Sequence, residues 1–282
     1  MSDAPPDLRA WIGRTETVVD SLAPEQARAA AALFDRDDAL VTGAPLPLPW
    51  HWFHFLPRAA QRDLGNDGHP RLGGFMPPVP YPRRMFAGAR ITVHRPLRIG
   101  VPAVRTGTIR DVVLKQGRSG ALAFVTVRYT FHQDDVLLLE EEQDIVYREP
   151  GAAVPLPAIH PPTPLADDVW SRTLVADSRL LFRFSALTFN AHRIHYDRDY
   201  ARDVEGYPAL VVHGPLTAML LLDLVRRHEA RPVVGFSFRG LAPLFDGVPI
   251  RLVGRAEGDV VGLEAQGPDG AVALAAEARL GG

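Results

Sequence analysis

The chain of 282 residues contains no cysteine, which removes disulfides, thiolate metal ligands and a cysteine nucleophile together. It has little net charge: 31 Lys and Arg against 33 Asp and Glu leave −2, with both signs interspersed. No long basic run marks nucleic acid or an anionic membrane as its main partner. No apolar run is long enough to span a bilayer, and the start, MSDAPPDLRAWIG, lacks the charged opening and continuous apolar core of a signal peptide. The expectation is a soluble, cytoplasmic protein. What the chain has in quantity is a 46 % hydrophobic fraction, enough for a sizeable core and against global disorder. It also has 26 prolines and 24 glycines, which cut it into short pieces and favour strands joined by turns over a helical bundle.

Along the chain, Pro24–Arg36 is Ala-rich, opens on proline and reads as a helix. WHWFHF at Trp50–Phe55 reads as extended, with Trp50, Trp52 and His54 on one face, and as core before pocket wall. Leu64–Arg84 is too rich in Gly and Pro for regular structure; a loop of that length in a compact chain tends to be functional or disordered. Four strands are expected at Arg90–Leu97, Ala103–Leu114, Ala121–Phe131 and Val136–Arg148. The turns between them fall at Ile99–Pro102, Gly117–Gly120 and Gln133–Asp135. Pro150–Pro164 is the best linker candidate, dividing an N-terminal domain (1–150) from a C-terminal one (171–282) across a linker at 151–170.

In the second half, Leu180–Ala186 reads as a strand, and Asp197 as the cap of a short helix over Arg198–Asp203. Pro215–His228 is a stronger helix: Gly214 suits its cap, Pro215 its first turn, and Arg226, Arg227 and His228 its negative end. Strands follow at Val233–Arg239, Pro249–Ala256, Val260–Gln266 and Val272–Arg279, the last two flanking the turn Gly267–Gly270. A curved antiparallel sheet wrapping an apolar helix is the expected unit, repeated in the first half around a less apolar helix.

Phe184–Asp197, FSALTFNAHRIHYD, followed by VVHGPL, carries the chemistry. It offers a histidine as base and, downstream, a glycine-opened helix whose unpaired N–H groups suit an oxyanion. Water addition to an activated double bond needs both.

These residues resemble the MaoC-like, R-specific enoyl-CoA hydratases of the hot-dog fold. The resemblance is to their two-domain branch, which includes mesaconyl-CoA (3-methylfumaryl-CoA) hydratases and type 2 hydroxyacyl-thioester dehydratases. It extends into the first half through GGFMPPVPYPRRMFAG and covers most of the chain. It implies an α+β double hot-dog: a catalytic C-terminal domain and a degenerate N-terminal one that lines the acyl tunnel without a second active site. In that family the motif runs Asp-x-Asn-Pro-x-His. Here the histidine falls on His195, the aspartate position holds Asn190, and His192 and Arg193 stand where the family has Asn and Pro. The resemblance implies His195 as base in hydration and acid in dehydration, Asn190 as holder of water or substrate, and Gly214 as oxyanion donor. An amide cannot share a proton as a carboxylate does, so either His195 works alone or another carboxylate replaces the lost one. Asp197 and Asp199 are the nearest in sequence.

Each residue also has a plainer reading. His192 and His195 make an H-x-x-H pair without an obvious third metal ligand, so no metal is expected, and His213 is expected to be structural. Arg193 suits either a two-pronged grip on the distal carboxylate of a dicarboxylyl substrate or a salt bridge to Asp197 or Asp199. Arg83 and Arg84 suit the phosphates of coenzyme A, or plain solvation. The expected reaction is reversible hydration of a 2-enoyl-CoA, favouring a short branched dicarboxylyl one such as mesaconyl- or itaconyl-CoA. No cofactor is expected beyond the coenzyme A of the substrate, and the assembly is expected to be a monomeric double hot-dog or a homodimer. The alternatives are a fatty acid or polyketide dehydratase, a hot-dog thioesterase, or a non-catalytic acyl-CoA-binding subunit.

Overall fold

A computed structural model describes residues 7–117 and 120–282. Its strands are β1 (Thr15–Asp20), β2 (Arg83–Val93), β3 (Ala103–Gly117), β4 (Gly120–Gln133), β5 (Val136–Arg148), β6 (Trp170–Val175), β7 (Val233–Gly240), β8 (Pro249–Glu257), β9 (Val260–Gln266) and β10 (Val272–Leu280). They form a single 10-stranded sheet in the order β1-β3-β4-β5-β2-β7-β10-β9-β8-β6, antiparallel at each junction. The order is the same read inward from either edge, so two similar five-strand units meet at the β2–β7 seam. That is the α+β double hot-dog. At the seam Gly88 faces Arg239, and a Cβ on Gly88 would sit 2.4 Å from the carbonyl oxygen of Phe238. Only glycine lets the two backbones come that close.

The helices are α1 (Pro24–Leu33), α2 (Ser178–Thr188), α3 (Arg198–Asp203) and α4 (Gly214–His228). In α4 every residue from Leu216 to Val225 is buried. Burying each of its leucines contributes about 1.5–3 kcal/mol, so α4 is the spine of the core. That core runs unbroken from α1 and the Trp50–Phe55 segment through α4 to β8, β9 and β10, which fuses the two units.

Three expectations change. Leu180–Ala186 is helix, not strand. Asp177 accepts a hydrogen bond from the Leu180 N–H at 2.9 Å, an N-cap, and the buried residues Leu181, Phe184 and Ser185 fall at helical spacing while Phe182 is exposed. WHWFHF is not extended: Trp50–Phe53 is a 3-10 turn, with Trp50 and Phe53 in the core and His51 and Trp52 turned to a buried carboxylate, Glu141. The repeat is also incomplete. α1 follows edge strand β1 as α2 follows edge strand β6, so α1 is the partner of α2. Where the C-terminal unit has α4, the N-terminal unit has that 3-10 turn and a long loop.

Boundaries shift too. β2 begins at Arg83 rather than Arg90 and absorbs a bulge between Phe86 and Gly88. The hairpin between β4 and β5 turns at Asp134 and Asp135, both at positive φ (48° and 60°), a tight type I′ geometry. Arg118 and Ser119 of the expected β3–β4 turn lie outside the described residues. Residues 149–169 carry no helix or strand, and no described helix is long and apolar enough to cross a membrane.

Candidate active site

A cavity of about 1210 Å³ opens between the units, with His195, Asn190 and Gly214 on its C-terminal wall and Trp52, Tyr129 and Glu141 on its N-terminal wall. Phe189, in the left-handed region (φ 49°), ends α2 and turns the chain into a loop that runs to a 3-10 turn at Arg193–His195. That turn buries His195. Its Nδ1–H donates to the Val211 carbonyl at 2.7 Å, which fixes the tautomer and leaves Nε2 as the acceptor. A neutral imidazole held this way can take a proton from water.

His195 is one of four clustered histidines. Its ring stacks on His213 with centroids 3.6 Å apart and lies edge-on to His192 at 5.3 Å. His192 in turn meets His69 at 4.2 Å. His213 caps α4 by position, shares a 2.9 Å hydrogen bond with Ser185 Oγ, and keeps its buried Nδ1 without a partner among the described residues. Its placement is therefore inside the site, not behind it.

His69 comes from the N-terminal unit. Residues 65–69 form a turn pressed on the loop that carries His195: Arg193 N–H donates to the Asp67 carbonyl at 2.9 Å, and Arg193 Nη1 to the Asn66 carbonyl at 3.1 Å. Gly68 (φ +92°) makes the approach possible, since a Cβ there would lie 1.7 Å from the Ala191 carbonyl oxygen. Asp67 accepts from His69 Nδ1 at 2.9 Å and orients that ring. The carboxylate that enters the site is thus Asp67, more than a hundred residues upstream of Asn190, and not Asp197 or Asp199. Asp197 caps α3 through Tyr200 N–H at 3.0 Å and holds the Arg193 guanidinium at 2.7 Å. Asp199 pairs on the surface with Arg202.

The remaining expected residues separate. Gly214 opens α4 with no side-chain cap, so the first N–H groups of the helix, Gly214 and Leu216, have no intrahelical partner. Asn190 Oδ1 accepts from His192 N–H at 3.0 Å, which leaves its amide NH₂ as a donor on the cavity wall. Arg193 is committed to Asp197, Asn66 and the face of Tyr200 (4.0 Å) and does not line the cavity, so its geometry is that of the salt bridge and not of a substrate grip. Arg83 is buried against Glu205 and the Gly151 carbonyl. Arg84, its neighbour on β2, points to the other face and lines the cavity beside the histidines. It thus lies on a strand and not, as expected, in the preceding loop.

Asp67, His69 and His192 place one ligand atom each within 4.8 Å of one another, the only such group among the described residues. The Arg84 guanidinium already disfavours positive charge on His69 and His192, and a metal cation there would meet the same repulsion.

Burial pushes the His195 pKa down to about 4, opposed by its bond to the Val211 carbonyl. Burial also pushes His192, His213 and His69 down from 6.5. Two pH effects follow. Hydration that uses neutral His195 is expected to be flat through neutral pH and to fall on an acid limb with an apparent pKa near 4; a limb centred near 6.5 would exclude His195 as the base. For stability, the unfolded chain binds protons at these histidines below about 6.5 while the native state resists. Stability is therefore full above 6.5 and declines as pH falls toward 4, a trend readable in urea midpoints across that window.

The fold itself has close counterparts. A MaoC-like dehydratase matches it with TM-score 0.74 over 97 % of this chain and 99 % of that one, at 16 % identity. A MaoC-like dehydratase from Phytophthora capsici matches with TM-score 0.66 over 97 % of both chains, at 14 % identity. Hydroxyacyl-thioester dehydratase type 2, as a family, matches residues 49–246. The mesaconyl-C(4)-CoA hydratase of Chloroflexus aurantiacus is 62 % identical over 277 residues, 98 % of this chain and 99 % of that one. The mitochondrial type 2 hydroxyacyl-thioester dehydratase of Schizosaccharomyces pombe is 27 % identical, over 76 % of this chain and 79 % of its own. The fold is that of the MaoC-like hot-dog proteins, and the relatives place the chain among hydro-lyases. Within that class, the chain belongs to the type 2 hydroxyacyl-thioester dehydratase family.

Proposed function

We propose that this protein reversibly adds water across the double bond of a short branched dicarboxylyl 2-enoyl-CoA, with mesaconyl-C4-CoA the preferred member. The observation that carries the reading is His195, with Nδ1 tied to the Val211 carbonyl and Nε2 free beside the uncapped start of α4. In the hydration direction, Nε2 takes a proton from water as the water oxygen bonds to the β-carbon. The C=C electrons move toward the thioester, and the charge on its oxygen is received by the Gly214 N–H and the positive end of α4. The His195 imidazolium then returns the proton to the α-carbon, so one water is consumed and the base regenerated. Asn190 NH₂ is placed to hold the water or the thioester. Neither metal nor redox cofactor enters this scheme; coenzyme A arrives with the substrate. The 62 % identical hydratase supports the choice of acyl group.

The test is a panel of crotonyl, trans-2-octenoyl, mesaconyl-C4 and itaconyl thioesters in heavy-oxygen water, read by mass spectrometry. Label is expected to enter the mesaconyl product fastest. Release of free coenzyme A without labelled hydroxyacyl product would replace hydration by thioester hydrolysis. Fastest label in octenoyl-CoA would move the substrate class to fatty acyl chains.

A further inference from the structure

We propose that Arg84 is the anchor for the substrate carboxylate, holding it against the carbon that water attacks. The inference rests on the dicarboxylyl reading above and deepens it. In a mesaconyl-C4 thioester the β-carbon bears a methyl group and a carboxylate. The group that distinguishes this substrate from a plain enoyl-CoA is thus one bond from the reacting carbon, and its partner must stand beside the catalytic base, not at the far end of an acyl tunnel.

Arg84 is the cavity cation that bears on His69 and on His192, the ring edge-on to that base. Five arginines line the cavity: Arg58, Arg71, Arg84, Arg105 and Arg148. Arg105 is engaged by Glu16 (3.2 Å) and the Phe55 carbonyl (3.3 Å), and Arg58 is an exposed residue near Asp20. The charge of Arg84, by contrast, acts on Asp67, His69, His192, Tyr129 and Tyr147. Arg71 and Arg148 also lack a side-chain partner among the described residues, but Arg71 is exposed and Arg148 bears on Glu205, which leaves Arg84 as the one of the five that bears on His69 and His192. Its guanidinium stands 6.0 Å from the Tyr147 ring centroid, and it makes no hydrogen bond or ion pair with any described residue. The neighbouring Arg83 differs, with its Nε against the Glu205 carboxylate and its Nη2 donating to two backbone carbonyls. A half-buried guanidinium without a partner, aimed into a cavity, is poised for an anion. Asp67 does not fill the role, because its Oδ2 is bonded to His69 Nδ1.

The placement also serves the chemistry. An unpaired carboxylate on the β-carbon repels an incoming water that is gaining hydroxide character. A guanidinium paired to that carboxylate draws its charge away and restores the electrophilicity of the carbon, so the effect reaches the transition state as well as binding.

The experiment compares kcat/KM for mesaconyl-C4-CoA and crotonyl-CoA in the wild type, Arg84→Gln and Arg84→Lys. The ratio of the two values is the readout, since partial misfolding scales both equally. Arg84→Gln is expected to lower the mesaconyl-to-crotonyl ratio about 100-fold or more, and Arg84→Lys, which keeps charge but loses the two-pronged geometry, by less. The monoamide of mesaconyl-C4-CoA, whose neutral end can pair with glutamine, should lose little in Arg84→Gln. A wild type that prefers mesaconyl-C4-CoA with an Arg84→Gln variant that keeps the preference overturns the anchor alone. A wild type that hydrates crotonyl-CoA but not mesaconyl-C4-CoA overturns the substrate reading, and the anchor with it.

Discussion

His195→Ala is expected to lower kcat for hydration by about 10²- to 10⁴-fold while the protein stays folded. His195 is the one imidazole of the cluster whose tautomer is set by a backbone carbonyl, so its loss removes a base already poised, not one selected from several protonation states. The loss should fall mainly on kcat, because the helix start at Gly214 and the cavity wall still bind the thioester. His195→Gln is the sharper variant: its amide can still bond to the Val211 carbonyl and occupy the place stacked on His213, but cannot take a proton. Near-UV and far-UV circular dichroism should match wild type for His195→Gln while turnover matches His195→Ala. A loss below tenfold in both would move the base to His192 or His69, whose rings extend the same cluster.

The parts of this molecule legible in its sequence are those whose cause is local. Strands β7 to β10, the turn at Gly267–Gly270 and the helix from Gly214 follow from alternation, turn residues and capping, and their boundaries lie within a residue of expectation, whereas the short edge strand β6 was not foreseen. Leu180–Ala186 misled because its β-prone residues alternate over too short a run. The deciding signal was Asp177, one turn upstream, whose cap commits the segment to helix. WHWFHF misled for a different reason. Aromatic residues favour strands on average, but here the conformation is set by where Glu141, on β5, draws His51 and Trp52.

The site was half legible. Asn190, His195 and Gly214 lie in one stretch and share one cavity wall. Asp67, His69 and the inward course of Arg84 were not readable, because what brings them in is a close approach of loop 65–69 to residues 191–193. The G-N-D-G-H run offered a hint, since closely spaced glycines in a long loop permit such an approach. Spacing alone names no partner, however. The N-terminal unit has lost its long helix, and that loss supplies the space: where α4 fills the C-terminal unit, the N-terminal unit leaves a cavity wall of Trp52, Tyr129 and Glu141. A tandem chain can specialise its halves in this way, one carrying His195 and the helix start and the other the loop that packs on residues 191–193.

Asp223 is where the two halves are held by charge, and Asp223→Ala is expected to cost the fold about 3–5 kcal/mol. The residue sits mid-way along α4 with its side chain 1 % exposed, and it accepts from Arg36 (3.1 Å), Arg172 (3.0 Å) and Arg227 (2.7 Å). Arg36 follows α1 in the N-terminal unit, Arg172 lies on β6 and Arg227 on α4 itself, so one carboxylate ties three elements across both units. Truncation leaves Nη1 of the mostly buried Arg36 guanidinium without its acceptor and a cavity beneath it. Asp38, already bonded to Arg36 at 2.7 Å, compensates in part, and Arg172 and Arg227 can turn toward water, which places the cost nearer the lower end of the range. For a chain of this size that is a fall in Tm of roughly 10 °C. Asp223→Asn, which keeps an acceptor but not the charge, should fall between wild type and Asp223→Ala. His195 and His213 stack at the N-terminus of α4, away from Asp223, so kcat measured well below the new Tm is expected to stay within about threefold of wild type, since sites without shared partners act independently. A loss of activity that parallels the loss of stability would mean instead that the ion-pair hub transmits to the His195–His213 stack through α4.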